Sequence, residues 1–574
     1  MSTHRTAPPV LPTAPALGAL RPLDPDDARI TGGFWSVRQH RNGGDAIRAG
    51  HERLEESGTL QNFRIAAGDA EGEARGMIFQ DSDAYKWLEA LAFEIGRTGD
   101  AELLALQRDV TATIAAAQAE DGYLNSVHQL RHGVAERYTN LAWNHELYCY
   151  GHLMQAAIAQ VRCTGDNALL QVALRILDHL GTVFGPEGID GVPGHPEIEM
   201  ALVELYRETG REDARELARF FLERRGHGTF DEVRPDPTYF SARVPVREAT
   251  TVEGHAVRAL YLAAGATDLA VEDHDAELVE HLERLFATAW STKTYVTGGM
   301  GSRWDWEAFG DPFELTTDRG YAETCAGIGA MQWAWRLLLA TGDARYADAI
   351  ERLLYNAILP GVSLAGTEFF YVNSLQLRDG AHADENRSIA HGRRGWFDCA
   401  CCPPNVMRTL ASLDQYVATA DAEGLQFHQF ASGTWTARIE GQPFSVEVTT
   451  DYPHAGEVTL RVVEAPDREV ALSLRIPPWS QDTTLTVAGE EVSTTAGQTA
   501  RITRTFQVDD VVTLELDLRP RFTGAPHRVD ASRGAVVLER GPLVYALEQQ
   551  DQSGQALVDD AMIDPGAAVR EQYL

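Results

Sequence analysis

Residues 84–117 read AYKWLEALAFEIGRTGDAELLALQRDVTATIAAA. Two stretches within it, 84–95 and 103–117, place apolar residues at i, i+3, i+4 and i+7, which lines up one face of a helix. Thr98-Gly99-Asp100 separates them. Glycine suits the left-handed residue that ends a helix, and an aspartate or its neighbour can cap the next one. The same turn returns as Thr164-Gly165-Asp166, Thr209-Gly210-Arg211 and Thr341-Gly342-Asp343. Further amphipathic stretches lie at 147–161, 198–206, 256–264, 330–339 and 346–358. The spacing is too uneven for a short-repeat solenoid. It predicts helical hairpins from about 81 to 420, closed into an all-helical toroid with inner and outer rings.

Beyond Leu425 the period changes. Short β-rich runs occupy 427–439, 444–450, 458–463, 470–476, 484–487, 502–506, 511–518 and 535–547. Val458-Thr459-Leu460-Arg461-Val462 and Leu472-Ser473-Leu474-Arg475-Ile476 alternate strictly. Turn residues recur every 8–12 residues or so, the pattern of a β-sandwich. A linker is expected near 421–424. The fold class is therefore α + β and multidomain: a helical toroid followed by β-sandwich modules, the last of them short.

At 574 residues the chain has room for two to four domains. Its 44% hydrophobic and 23% charged residues exclude disorder as the main state. No run approaches the ~20 apolar residues of a membrane span. With 50 Lys+Arg against 84 Asp+Glu, the net charge is −34, which argues against nucleic acid and anionic membranes as partners. Lys86 and Lys293 are the only lysines, and we attach no function to that bias. Met1 to Leu20 is rich in Pro, Ala and Thr, and Pro12 and Pro15 break its apolar run. It makes a poor signal peptide and reads as a loose tail on a cytoplasmic protein.

Three of the six cysteines fall in Cys399-Ala400-Cys401-Cys402-Pro403-Pro404-Asn405. Such clustering does not suit a disulfide framework. Adjacent Cα atoms sit about 3.8 Å apart, below the ~4.4 Å that a relaxed disulfide needs, so Cys401 and Cys402 suit one ion better than each other. Asn405 is positioned to cap a helix over 406–420. Glu323 and Cys325 stand two apart, so they converge only from a loop or a helix start. Together Glu323, Cys325, Cys401 and Cys402 offer three thiolates and a carboxylate, a set that suits tetrahedral zinc. On spacing alone a catalytic metal, a structural metal and buried metal-free cysteines all remain open.

Gly298-Gly299-Met300-Gly301-Ser302-Arg303-Trp304-Asp305-Trp306-Glu307 is a glycine-rich loop without the Lys-Ser/Thr of a phosphate loop. Aromatic rings beside carboxylates suit a sugar site, and a carboxyl against aromatics tends towards a raised pKa. A surface loop carrying a core tryptophan fits the segment equally well. His145, His152, His195 and His255 stand at apparent helix starts, where an inner rim would line a central cavity. For any single one, a structural histidine is the plainer reading.

These residues resemble glycoside hydrolase family 127, the β-L-arabinofuranosidases. The resemblance rests on Gly299-Met300-Gly301-Ser302, Glu307-Ala308-Phe309, Glu323-Thr324-Cys325, Phe370-Tyr371-Val372-Asn373 and the cysteine–proline motif. It rests also on Phe79-Gln80-Asp81-Ser82-Asp83, His145-Glu146-Leu147-Tyr148, Gly194-His195-Pro196-Glu197 and Gly541-Pro542-Leu543-Val544-Tyr545. It implies an α/α six-hairpin barrel followed by β-sandwich modules. It implies Zn2+ on Glu323, Cys325, Cys401 and Cys402, Cys401 as nucleophile, Glu307 as acid/base, and His145, His195, His255 and Tyr371 as sugar contacts. The chain then divides into a flexible tail (1–20), a catalytic barrel (32–420), a sandwich (21–31 with 425–525) and a partial second β module (526–574). The expected partner is an oligosaccharide or glycoside, and the resemblance leaves room for a homodimer.

The leading expectation is a retaining exo-glycosidase that releases terminal β-L-arabinofuranosyl residues through a zinc-bound thiolate. A competing assignment makes Glu323 the nucleophile. A second reading keeps the site for another furanoside or pyranoside, with loops 303–306 and 378–394 reshaping the pocket. A non-catalytic, zinc-stabilised glycan-binding protein is a third. A barrel polysaccharide lyase or uronyl hydrolase, a fourth, would want a basic pocket and has no use for the cysteines.

Overall fold

The computed structural model describes residues 5–185, 187–378, 381, 387–552, 554 and 557–572. Six helices form a closed inner ring: α1 (Asp81–Thr98), α2 (Glu146–Thr164), α3 (Ile198–Thr209), α4 (Ala256–Glu272), α5 (Thr324–Thr341) and α6 (Cys402–Ala411). Each packs on the next, and α6 packs back on α1. The outer ring consists of Ile47–Glu56, Ala101–Ala117, Ala168–Val183, Glu212–Arg224, Ala276–Thr292 and Ala344–Leu353. The predicted toroid is therefore an α/α barrel of six hairpins.

The Thr-Gly-Asp turns account for its polarity. Gly99, Gly165, Gly210 and Gly342 end α1, α2, α3 and α5 at φ of 69–73°, a conformation that costs glycine nothing. Asp100 and Asp343 then cap the following outer helices, accepting from the backbone N–H of Glu102 (2.8 Å) and Arg345 (2.9 Å). These turns lie at the inner helices' C-terminal ends, so the N-termini gather on the opposite rim. Inner helices are buried nearly all round, and small residues let them approach: a Cβ on Gly151 of α2 would lie 2.6 Å from Glu197.

A seven-stranded sheet, in the order Glu490–Val492, Thr484–Val487, Val511–Glu515, Glu457–Glu464, Gln442–Thr450, Ser432–Ile439, Ala28–Gly32, faces a five-stranded one. The latter runs Arg21–Pro22, Ala418–Ala420, Gly424–Phe427, Val470–Arg475, Thr499–Arg504. Strand Glu457–Glu464 buries every second residue, as its alternation predicts. Strand Val470–Arg475 does not: Ser473 and Arg475 are buried too. Its polar face meets the barrel, where Arg475 pairs with Asp348 (2.8 Å) and Glu351 (2.5 Å). A third sheet, Arg521–Gly524, Val536–Arg540 and Leu543–Val544, leans on the barrel through Asn356, which hydrogen-bonds Pro542 O (2.9 Å) and the N–H of Val544 (2.8 Å).

Two sequence expectations change. Residues 421–424 form the tight turn of a hairpin between Ala418–Ala420 and Gly424–Phe427, with Asp421 accepting from the N–H groups of Glu423 and Gly424, rather than a linker. Residues 5–20 are no loose tail. Ala7, Val10, Ala16 and Leu20 are buried against the barrel. Among the described residues, no helix is long and apolar enough to cross a membrane.

Candidate active site

The N-terminal rim gathers the candidate site residues. Glu323 is the N-cap of α5 and Cys325 its second residue, so the i, i+2 pair converges because it straddles a helix start. The N–H of Thr324 donates to Tyr371 O (3.0 Å), tying that start to the segment that carries Tyr371. Cys401 is the N-cap of α6 and Cys402 its first residue. Pro403 and Pro404 fit a first turn whose N–H groups have no helical partner. Asn405 is not the cap: α6 has already begun, and Asn405 binds Tyr261 OH (3.1 Å) and Arg408 Nε (2.7 Å) instead. Both helix starts favour thiolates through their dipoles.

The sulfur of Cys325 lies 3.6 Å from that of Cys401 and 3.3 Å from that of Cys402; Cys401 and Cys402 are 3.8 Å apart. Glu323 Oε1 is 3.5 Å from Cys401 Sγ and 3.7 Å from Cys402 Sγ. A tetrahedral zinc with sulfurs at ~2.3 Å has S···S edges of about 3.8 Å. Glu323 Oε2 is buried and lacks a hydrogen-bond partner among the described residues. Burial, and then the charge of Cys401, push Glu323 well above the carboxylate range. Burial opposes ionisation of Cys325, yet its contacts with Cys401 and Cys402 bring it down to about 6. Three sulfurs and a carboxyl gathered at these spacings in a buried site fit a thiophilic cation, which would take the place of their protons.

Glu307 belongs to the same pocket: ligand atoms of His255, Glu307 and Glu323 lie within 4.8 Å of one another. His255 Nε2 is 3.0 Å from Glu307 Oε2, and Arg387 pairs with Oε1. His255 Nδ1 accepts from the N–H of Arg258 (3.5 Å), so Nε2 carries the proton towards Glu307. Burial raises the pKa of Glu307, but His255 and Arg387 outweigh it and hold the carboxyl well below its usual range. This reverses the expectation of a raised pKa from neighbouring aromatics. Trp304 stacks edge-on with Tyr321 (5.1 Å) and Trp306 with Tyr239 (5.5 Å), while the charged neighbours of Glu307 set its proton affinity.

His145 occupies the N-cap position of α2 at a left-handed φ of 56° without a side-chain capping bond, His255 caps α4 through its side chain, and His195 lies just before α3. Their rings form a row, 5.8 Å from His145 to His195 and 5.6 Å from His195 to His255. Burial, and then the Arg258 guanidinium, depress His145 (to about 3) and His195; burial also depresses His255, so neutral rings line the wall. His152 is not at a helix start; it lies in the second turn of α2, fully buried, 3.2 Å from Glu197 Oε1. The Tyr371 hydroxyl is 3.0 Å from Cys401 Sγ and 3.5 Å from Cys399 Sγ.

Three contributors escape sequence reasoning. Arg387, from a loop without periodicity, reaches Glu307 and Tyr321 OH (2.8 Å). Lys86 Nζ is 3.3 Å from Tyr148 OH and 3.4 Å from Cys401 O. Its signal was present: a rare lysine in the apolar stretch 84–95. Arg258 binds Gly194 O (2.9 Å) and Tyr239 OH (3.1 Å). Of the loop 378–394, residues 379, 380 and 382–386 lie outside the described residues.

Residues 27–415 match the sequence profile of the β-L-arabinofuranosidase catalytic domain of glycoside hydrolase family 127. Residues 424–518 match the family's middle domain and 520–572 its C-terminal domain. A non-reducing end β-L-arabinofuranosidase of Bifidobacterium longum subsp. longum is 36% identical over 528 residues, covering 87% of this chain and 80% of that protein. The crystal structure of a family 127 β-L-arabinofuranosidase from Geobacillus stearothermophilus T6 superposes with a TM-score of 0.85 at 36% identity, over 90% of this chain and 86% of that one. A second solved family 127 β-arabinofuranosidase gives 0.84 at 31% identity, over 95% and 86%.

Proposed function

The chain belongs to glycoside hydrolase family 127, and from that premise we propose a retaining exo-glycosidase that releases terminal β-L-arabinofuranosyl residues, with Cys401 as nucleophile and Glu307 as acid/base. One observation carries this reading: the Cys401 sulfur is 3.5 Å from Glu323, which shares a cluster with Glu307, so a nucleophile and a proton-transferring carboxyl face one pocket. Zn2+ held by Glu323, Cys325, Cys401 and Cys402 would keep the sulfurs as thiolates near neutral pH.

The residues then divide the work. The Cys401 thiolate attacks the anomeric carbon while the bond to the leaving oxygen breaks, and Glu307 gives that oxygen its proton. Glu307 next takes a proton from water as it attacks the same carbon, the C–S bond breaks, and the thiolate returns. Two inversions give retention. Tyr371 OH, 3.0 Å from the sulfur, orients the nucleophile. His145, His195 and His255 present neutral ring nitrogens to the sugar hydroxyls. Glu307 rests ionised, the form the second step needs. A sugar that displaces Arg387 from Glu307 raises its proton affinity for the first.

Initial rates on aryl β-L-arabinofuranoside, beside matched aryl furanosides and pyranosides, test the substrate class. Clear preference for the first is expected; activity on another sugar alone would reassign the pocket and keep the thiolate. Cys401→Ser should stay folded by circular dichroism and lose at least about 10³-fold in kcat. Mechanism-based labelling should mark Cys401, and a label on Glu323 would make that carboxylate the nucleophile.

A further inference from the structure

Trp306 is the one tryptophan among the exposed large apolar side chains of the described residues, at 54% exposure. It also occupies a backbone position that disfavours it. Its φ is 64° and that of Glu307 is 54°, two consecutive left-handed residues, neither a glycine. A Cβ makes that conformation unfavourable, and an exposed indole gains little from burial to offset it. Glycine would suit the position better on both counts. Such a residue persists where its side chain has work to do.

The loop is rigidly mounted. Arg303 and Ala308 exchange backbone hydrogen bonds (3.0 and 3.1 Å), the N–H of Glu307 donates to Trp304 O (3.1 Å), and the N–H of Phe309 donates to Gly254 O (2.8 Å), beside His255. Trp306 leans on the edge of Tyr239, whose ring also meets His255 at 5.6 Å. The indole therefore stands on the rim of the pocket, one residue from the carboxyl that protonates the leaving oxygen. Whatever is attached to that oxygen must pass this rim. An aromatic face there offers apolar contact to the C–H face of a ring, while Glu307 fixes the oxygen.

We propose that Trp306 is the platform of a leaving-group subsite that binds a second sugar ring, so that the enzyme favours glycans over simple glycosides. The proposal rests on the reading of Glu307 as acid/base. It deepens that reading by naming the occupant on the far side of the cleaved bond.

The test compares kcat/KM on a β-L-arabinofuranosyl disaccharide with that on methyl β-L-arabinofuranoside, for wild type, Trp306→Gly and Trp306→Phe. Trp306→Gly keeps the left-handed backbone available and removes the platform. It should lower the disaccharide-to-methyl ratio about tenfold, mainly through KM. Trp306→Phe should retain most of the ratio. Because the glycine relieves strain, Tm should hold or rise, which a merely structural indole would not allow. An unchanged ratio in Trp306→Gly, or equal losses on both substrates, overturns the subsite. Wild-type silence on both substrates sinks the arabinofuranosidase reading first, and the subsite with it.

Discussion

Glu307 shows how far a residue's chemistry depends on partners from distant sequence. Its own segment, with Trp304 and Trp306, predicts a carboxyl that holds its proton. His255 from the start of α4 and Arg387 from a separate loop make it a carboxylate instead. The motif was legible, as were Glu323, Cys325, Cys401 and Cys402; the charge state was not, because no spacing rule brings Arg387 to residue 307. The sign of its effect is testable. Removing a positive charge beside an acid raises the pKa, so the protonated form survives to higher pH. Arg387→Met should move the alkaline limb of the kcat/KM–pH profile upward by about one pH unit. A limb that stays in place would show that Arg387 does not govern the acid. Glu307→Gln should cost most on substrates with poor leaving groups, where protonation matters most; equal loss on all of them would contradict the acid role.

At the scale of elements, local rules were legible and tertiary ones were not. Thr-Gly-Asp turns are local, since a left-handed glycine and a capping aspartate work wherever they occur, so the hairpins and their polarity could be read directly. Asn405 was misplaced as a cap because two prolines fit inside a first turn as well as before one. The alternation of 472–476 marks an apolar and a polar face, but the polar one docks on the barrel through Arg475, which only the assembled fold supplies. Gly254 lies between these cases. Its φ is +80°, and a Cβ there would lie 1.9 Å from Thr238 O, just before His255 and against the loop of Glu307. Gly254→Ala should therefore lower Tm by several degrees and reduce kcat/KM at temperatures where the variant stays folded. Gly68→Ala makes the comparison, with φ +83° and no neighbour within 4 Å. It should cost about 1 kcal/mol at most and leave kcat/KM near wild type. If the two variants behave alike, strain alone matters and the close approach at Gly254 does not.

For the whole molecule, the segment 5–20 has no hydrophobic period, and its role follows from what the barrel leaves unfinished. An inner helix ends in carbonyls with no helical donor. The N–H of Arg5 donates to Gly96 O (2.7 Å) at the end of α1, that of Leu17 to Val271 O (2.9 Å) at α4, and those of Ala19 and Leu20 to Leu339 O (3.0 Å each) at α5. Between these ends lies a buried charge network in which Arg207 joins Glu204, Asp268 and Glu272, while Arg162 joins Glu204. The segment completes its hydrogen bonding: the N–H of Leu11 donates to Glu204 (2.9 Å), Thr13 Oγ1 to Glu272 (2.6 Å), and Arg162 to Pro8 O (3.0 Å). Buried ion pairs are costly to leave partly satisfied, and Val10, Ala16 and Leu20 cover apolar surface besides. The segment thus closes the floor of a barrel whose candidate site lies on the other rim, about 27 Å away along an 18-residue helix. Deleting residues 1–20 should lower both Tm and the urea midpoint clearly, while kcat/KM per folded molecule stays within about twofold of wild type below the transition. A truncated protein with unchanged Tm would mean that water satisfies the floor as well as the segment does. A stable one with sharply reduced kcat/KM would mean that the two rims are coupled through the inner helices.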